Sequence, residues 1–230
     1  MFRAVLTTTA AALLCTTVAW AHPEIETALS RLNPAIAAAP NDAGLYLERG
    51  ELYAKHEDWI AAEANYLRAA ELAPRLPRLE CARGALALAT RQFAEAKSHF
   101  DRALALDPRN AEALILRSRT HTALLNRAAA IVDFDAALAL LAQPRPELFL
   151  EYASLLTSPA AAIASLDAAI ARIGPAYTLH LRALEFEETS GRIDAALARL
   201  TTLAAASERK ETWLKRRGDL LARAGRATEA

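Results

Sequence analysis

One stretch of the chain constrains its fold more than any other: Phe93–Asn110, FAEAKSHFDRALALDPRN, which has a counterpart on either side at one fixed spacing. Ala96, Phe100, Ala103 and Leu106 match Ala62, Tyr66, Ala69 and Leu72 upstream, and Ala130, Phe134, Ala137 and Leu140 downstream, in steps of 34 residues. Small and aromatic residues at i, i+4 and i+7 share one face of a helix. A helical face returning at this period indicates units of two helices that cannot bury themselves alone and must stack into a common core.

The other slots of the period support that reading. Numbered from Ala43, the first unit (43–76) places Tyr46, Gly50, Tyr53, Ala62, Tyr66, Ala69 and Pro74 at slots 4, 8, 11, 20, 24, 27 and 32. The second (77–110) keeps Gly84, Ala96, Phe100, Ala103 and Pro108; the third (111–144) has Ser118, Ala130, Phe134 and Ala137. A small residue at slot 8 and Ala at slot 20 let the paired helices approach closely, and the aromatic at slot 24 fills the space between them. Asp42, Asp58 and Asn110 are placed as helix caps, and Pro77 suits a first helical turn.

On these residues the chain resembles the tetratricopeptide repeat family. The resemblance implies an all-α fold, a right-handed α-solenoid of antiparallel helix pairs, and a non-catalytic protein that binds a protein or peptide partner. Expected units are 43–76, 77–110, 111–144, 145–176, 177–210 and a partial 211–230. The fourth unit is irregular. Leu148, Tyr152 and Leu155 are read at slots 4, 8 and 11, with a turn about two residues short and a helix starting at Ser158-Pro159. Tyr152 at a small-residue slot predicts wider helix spacing and a local change of superhelix twist. The fifth unit has Leu184 and Leu203 at small slots and needs Gly191 as a left-handed residue. The sixth carries Trp213, Leu214, Gly218, Leu221 and Gly225. Residues 22–42 read as a lone second helix capping the front of the stack, with Pro34 expected to kink or split it.

Residues 1–21, MFRAVLTTTAAALLCTTVAWA, read as a secretory signal peptide with Ala19-Trp20-Ala21 at the cleavage site. The alternative is an uncleaved anchor, but the apolar run is short of the ~20 residues a spanning helix prefers. Export is the expectation, periplasmic or secreted if the source is bacterial, with no stable membrane insertion after cleavage. Cleavage would remove Cys15 and leave Cys81 alone, so no internal disulfide is expected. It would also expose His22 as an amino-terminal residue; copper chelation there is a minor alternative, since the other histidines show no metal-ligand spacing. Otherwise no cofactor or metal is expected. With 27 basic and 27 acidic side chains the chain lacks the concentrated positive charge that nucleic acid requires.

In such a stack the first helices line a concave groove, and the resemblance implies that slots 2, 5, 9, 12 and 13 face a bound peptide. Slots 5, 9 and 12 nominate Leu47, Glu51, Cys81, Leu88, Ile115, Arg119, Phe149, Leu156, Leu181 and Glu185 as groove residues. The groove so drawn is apolar in its middle and acidic later. The alternative is that these side chains are covered by neighbouring helices or by self-association into an oligomer. Arg49, Arg83, Arg117 and Arg217 form a column read as lying across helix seams rather than holding an acidic ligand. Cys81 reads as an inert apolar residue. No nucleophile elbow, Cys-x-x-Cys, His-Glu-x-x-His or P-loop is present. The expected role is a non-catalytic scaffold or adaptor in the cell envelope.

Overall fold

A computed structural model describes residues 23–229, and all regular structure there is helical. After α1 (Pro23–Ala38) come the pairs α2 (Ala43–Lys55) and α3 (Trp59–Leu72), α4 (Pro77–Ala89) and α5 (Phe93–Leu106), and α6 (Ala111–Ala123) and α7 (Arg127–Leu140). The chain continues as α8 (Pro146–Leu155) with α9 (Pro159–Ile173), α10 (Tyr177–Thr189) with α11 (Ile193–Ala206), then α12 (Lys210–Arg223) and a 3-10 turn, Ala227–Glu229. Sequential helices pack antiparallel, giving a right-handed solenoid whose buried side chains gather in four clusters along the stack. Residues 1–21, read above as a signal peptide, with Cys15 among them, and His22 lie outside the described residues.

The repeated side chains occupy the seams as their spacing requires. Ala62, Ala96 and Ala130 are fully buried, as are Ala69, Ala103 and Ala137, and Tyr66, Phe100 and Phe134 expose 1% or less. A Cβ on Gly50 would stand 2.5 Å from the Tyr66 ring, and one on Gly84 would stand 2.6 Å from that of Phe100. No larger residue fits under those rings. Ser118 takes the same slot in the third pair and its Oγ donates to the Ala130 carbonyl at 2.7 Å, satisfying a hydroxyl that would otherwise be buried without a partner.

Local chemistry sets the helix ends. Asp42, Asp58, Asn110, Asn126 and Ser158 each accept from a free amide in the first turn that follows. Every pair except the fourth then turns through a left-handed residue at slot 15: Glu57, Arg91, Leu125 and Gly191, with Gly225 after α12. Pro34 lies inside α1 without splitting it.

The fourth pair corrects the sequence reading. Buried positions fall at slots 3, 8 and 10 in the second pair (Leu79, Gly84 and Leu86) and the third (Ala113, Ser118 and Thr120), and the fourth pair matches them with Leu148, Ala153 and Leu155. Its register therefore starts at Pro146, as the second starts at Pro77. Ala153, fully buried, holds the small-residue slot, and Tyr152 sits beside it against the Phe134 ring at 5.9 Å. The missing residues come out of α8, ten residues long against thirteen for α2, α4 and α6. Wider spacing does occur, but between repeats. The backbones of α6 and α8 stay more than 8 Å apart, as do those of α10 and α12, whereas α2 with α4, α4 with α6, and α8 with α10 approach more closely.

Candidate functional site

The inner face is built by the first helix of each pair, and its main depression runs across α2, α4 and the start of α6. The cavity is about 570 Å³. Ala54, Ala82 and Ala85 line it together with the buried Leu86 and Cys81. Alanines here follow from the close helix spacing, since two helices brought together at Gly50 and Gly84 leave little depth for side chains on the inner face. Above the floor, Arg78 grips Glu51 through two hydrogen bonds of 3.0 and 2.5 Å. The pair joins slot 2 of one repeat to slot 9 of the repeat before it. Lys55 and Glu112 also line the trough and carry no salt bridge among the described residues.

The field in this trough is partly acidic. Burial first, then Glu112 and Glu51, push the Cys81 thiol up to about 12. That leaves no thiolate near neutrality, so Cys81 is an unreactive apolar residue, in keeping with its 5% exposure. The carboxylate of Glu51, through its hydrogen bond, holds the Arg78 guanidinium above its ordinary range. A second depression of about 370 Å³ lies in the opening between α6 and α8, with Ile115, Leu116, Leu141 and Leu148 around it. Arg119 spans this opening, donating to both Glu151 oxygens at 2.8 Å.

The structure divides the ten nominated groove residues. Glu51, Ile115 and Arg119 line the two depressions, and Cys81 contributes only its small exposed fraction. Leu88 and Leu181 are half-buried against core clusters, and Glu185 is exposed and paired with Arg182 at 2.7 Å. Leu47, at 1% exposure, belongs to the core and presents no surface. Phe149 and Leu156 were nominated in the wrong register. Phe149 occupies slot 4 and faces Ser165, Ala168 and Ala169 of α9 on the outer side, and Leu156 packs on the same core. The later stretch is less acidic than expected, because Glu188 is neutralised by Arg216 and Arg223. Among residues not nominated, Arg78 and Glu112 at slot 2 and Lys55 and Ala89 at slot 13 line the main trough. Slots 2 and 13 were the signal that would have found them.

The arginine column stitches the stack. Arg49 donates to Asn65 of its own pair and Asn33 of α1, at 2.7 and 2.9 Å. Arg117 clasps Asp133 with two bonds of 2.7 Å and reaches back to Asp101 at 2.8 Å. Arg83 bonds Glu63, but its Nε is buried without a partner. The slot that elsewhere supplies the acceptor holds His99, whose Nδ1 already faces Glu80 and Arg102.

Among the described residues no group of three or more His, Cys, Asp or Glu is arranged to hold a metal ion, and no helix is long and apolar enough to cross a membrane.

Comparison with known proteins agrees with this architecture. Residues 77–110 match the family model of the tetratricopeptide repeat, the same 34 residues as the second repeat. No curated protein sequence matches. Among solved structures, pilF of Pseudomonas aeruginosa superposes with a TM-score of 0.65 at 18% identity, over 84% of this chain and 90% of that one. PilW, described as a widely conserved type IV pilus biogenesis factor, gives 0.65 at 22% identity over 84% and 91%. YrrB, described as having an unusual peptide-binding site, gives 0.59 at 18% identity over 80% and 96%. At these identities the likeness is one of fold. The chain carries a tetratricopeptide repeat, and its helices form a tetratricopeptide-repeat solenoid.

Proposed function

We propose that this chain is a non-catalytic adaptor that binds an extended peptide segment of a protein partner along its inner face. The observation that carries the reading is the trough over Ala54, Ala82 and Ala85, bordered by the Glu51–Arg78 pair, with Lys55 and Glu112 in its wall carrying no salt bridge among the described residues. Alanine floors admit a main chain close to the helices, and these two charges offer one contact of each sign. A segment carrying both an acidic and a basic residue meets that requirement, with an apolar side chain entering the opening beside Ile115.

An envelope location accompanies this reading. It is supported by the Ala19-Trp20-Ala21 leader and by the use of the same fold in PilW, a pilus biogenesis factor.

The test is capture from a cell-envelope extract with the native protein and with Ala85→Glu and Ile115→Asp. Both variants should lose the partner by more than about tenfold while keeping their helical circular dichroism. Equal capture by all three would remove the inner face from consideration. Sedimentation at micromolar concentration separates this reading from self-association, because an oligomer that Ala85→Glu dissociates would mean a second copy fills the trough.

A further inference from the structure

The outer face of the stack carries a second site, independent of the inner-face reading. In two repeats the slot-7 arginine is held from both sides. Arg49 donates its Nε to Asn65, at slot 23 of its own repeat, and its Nη1 to Asn33 of α1. Arg117 does the same with Asp133 at slot 23 and with Asp101, at slot 25 of the repeat before. In the fifth repeat the cation moves to Arg199, at slot 23 itself, and bonds Glu187 and Asp167 of α9. Arg83 is the exception. His99 fills its slot 23 and Leu67 the preceding slot 25, so Arg83 makes a single bond among the described residues, to Glu63 at 3.1 Å. Its Nε is buried without an acceptor.

The cleft above Arg83, between α3 and α5, measures about 530 Å³. Trp59, Ile60, Leu67 and His99 line it together with the Glu63–Arg83 pair, and Trp59 stands between this cleft and the inner trough. Two of the wall residues depart from what their slots hold elsewhere. Slot 18 carries Ala94, Ala128 and Asp194 in other repeats, and slot 25 carries Asn33, Asp101 and Asp135. Here the same slots carry Ile60 and Leu67, which expose 86% and 49%. Apolar surface left in water beside a buried donor without an acceptor is a pair of costs that one ligand relieves together. Charge decides the kind of acceptor. Glu63 already neutralises Arg83, and Glu95 stands on the α5 wall, so a further carboxylate is disfavoured. An amide oxygen carries no such penalty, and amides are what Arg49 uses.

We propose that the α3–α5 cleft binds a segment of a partner protein in which an Asn or Gln lies between aliphatic residues. The amide oxygen accepts from the Arg83 guanidinium, which turns its Nε edge toward the cleft. The aliphatic side chains cover Ile60 and Leu67.

The probe is a fluorescein-labelled, end-capped peptide with the sequence of residues 31–37, RLNPAIA, in which Asn33 stands between Leu32 and Ile36. It is titrated with the full 230-residue chain by anisotropy. Saturable binding is expected, with a Kd below about 1 mM. Leu67→Asn supplies within the chain the acceptor that Asn33 gives Arg49, and should weaken binding more than about tenfold; so should Ile60→Ser, and so should Leu in place of the peptide's Asn. Both protein variants should keep the native helical circular dichroism and melting temperature, because the side chains they replace are exposed. Ala85→Glu, on the inner face, should leave the affinity unchanged. Four results would overturn the assignment. One is no saturable binding up to about millimolar peptide. Another is affinity that survives both Leu67→Asn and Ile60→Ser, or that Ala85→Glu removes, which would place the peptide elsewhere on the chain. The third is tighter binding of a peptide with Asp in place of Asn, which would make the cleft a site for acids. The fourth is a concentration-dependent dimer that Leu67→Asn dissociates, which would give the cleft to a second copy.

Discussion

The second and fourth repeats solve one packing problem with different side chains. In the second, Gly84 lies under the ring of Phe100, α4 runs to thirteen residues, and the turn passes through left-handed Arg91. In the fourth, Ala153 and Leu166 fill the same two slots, both fully buried; α8 has ten residues and Leu156 leaves it in an extended conformation. One methyl more on the first helix is balanced by a smaller side chain on the second, so the seam stays closed. Helix α8 stands away from α6, and the Arg119–Glu151 pair spans the opening. Full-length α10 stands away from α12 in the same way, so the gap is not peculiar to the short helix. A helix pair thus tolerates exchange of volume across its own seam.

The sharpest way to break this comparison is Phe149→Asp. If Phe149 is core, as its 6% exposure and its place beside α9 indicate, the variant should lose more than about 4 kcal/mol in urea unfolding, because a large cavity and a buried charge are created together. A variant that melts normally would return Phe149 to the groove. Next comes the clasp of the regular repeats. Asp133→Ala removes two of the three bonds Arg117 makes, leaving it Asp101 alone, and should destabilise by about 2–3 kcal/mol, below the figure for a wholly buried pair because Arg117 keeps that partner and 23% exposure of its side chain. The register of the fourth repeat is sharpened by a paired substitution. Ala153→Leu should overpack the seam at a cost of about 1–3 kcal/mol, while Tyr152→Leu costs less, because it gives up the contacts with Phe134 and Asp135 without forcing any helix apart. The reverse order would restore Tyr152 to the small-residue slot. Smallest is the turn. Leu125 is left-handed at φ 60° and 92% exposed, so Leu125→Gly should raise stability by about 0.5–1 kcal/mol, measured as a shift in melting temperature. The same change at Leu156, where φ is −76°, removes no strain and should destabilise.

Where the period is intact, the residues alone located the seams. Ala62, Ala96 and Ala130, and the rings of Tyr66, Phe100 and Phe134, point where their 34-residue spacing requires, and Gly191 is left-handed at its turn. The inner face was less legible. Leu47 and Phe149 look like ligand-facing apolar residues in sequence, yet side chains from adjacent helices cover both. The trough charges Arg78 and Glu112 lie outside the slots chosen for the site. In the fourth repeat a one-residue error of register turned a core phenylalanine into a groove residue, since one residue on a helix rotates a side chain by about 100 degrees.

The sequence by itself determined that helices pair and stack, because that outcome rests on volumes that recur in phase and on caps and turns acting within a few residues. It also determined that Arg49 and Arg117 lie in helix seams, where a side chain of that length finds an acceptor one helix away. Only the tertiary structure decided which inner-face side chains remain accessible, that α6 and α8 part, and that Gly218 faces open space while Gly50 and Gly84 do not. Those outcomes depend on where the next helix lies, and that distance is summed over every seam and turn between, so no local pattern of residues encodes it.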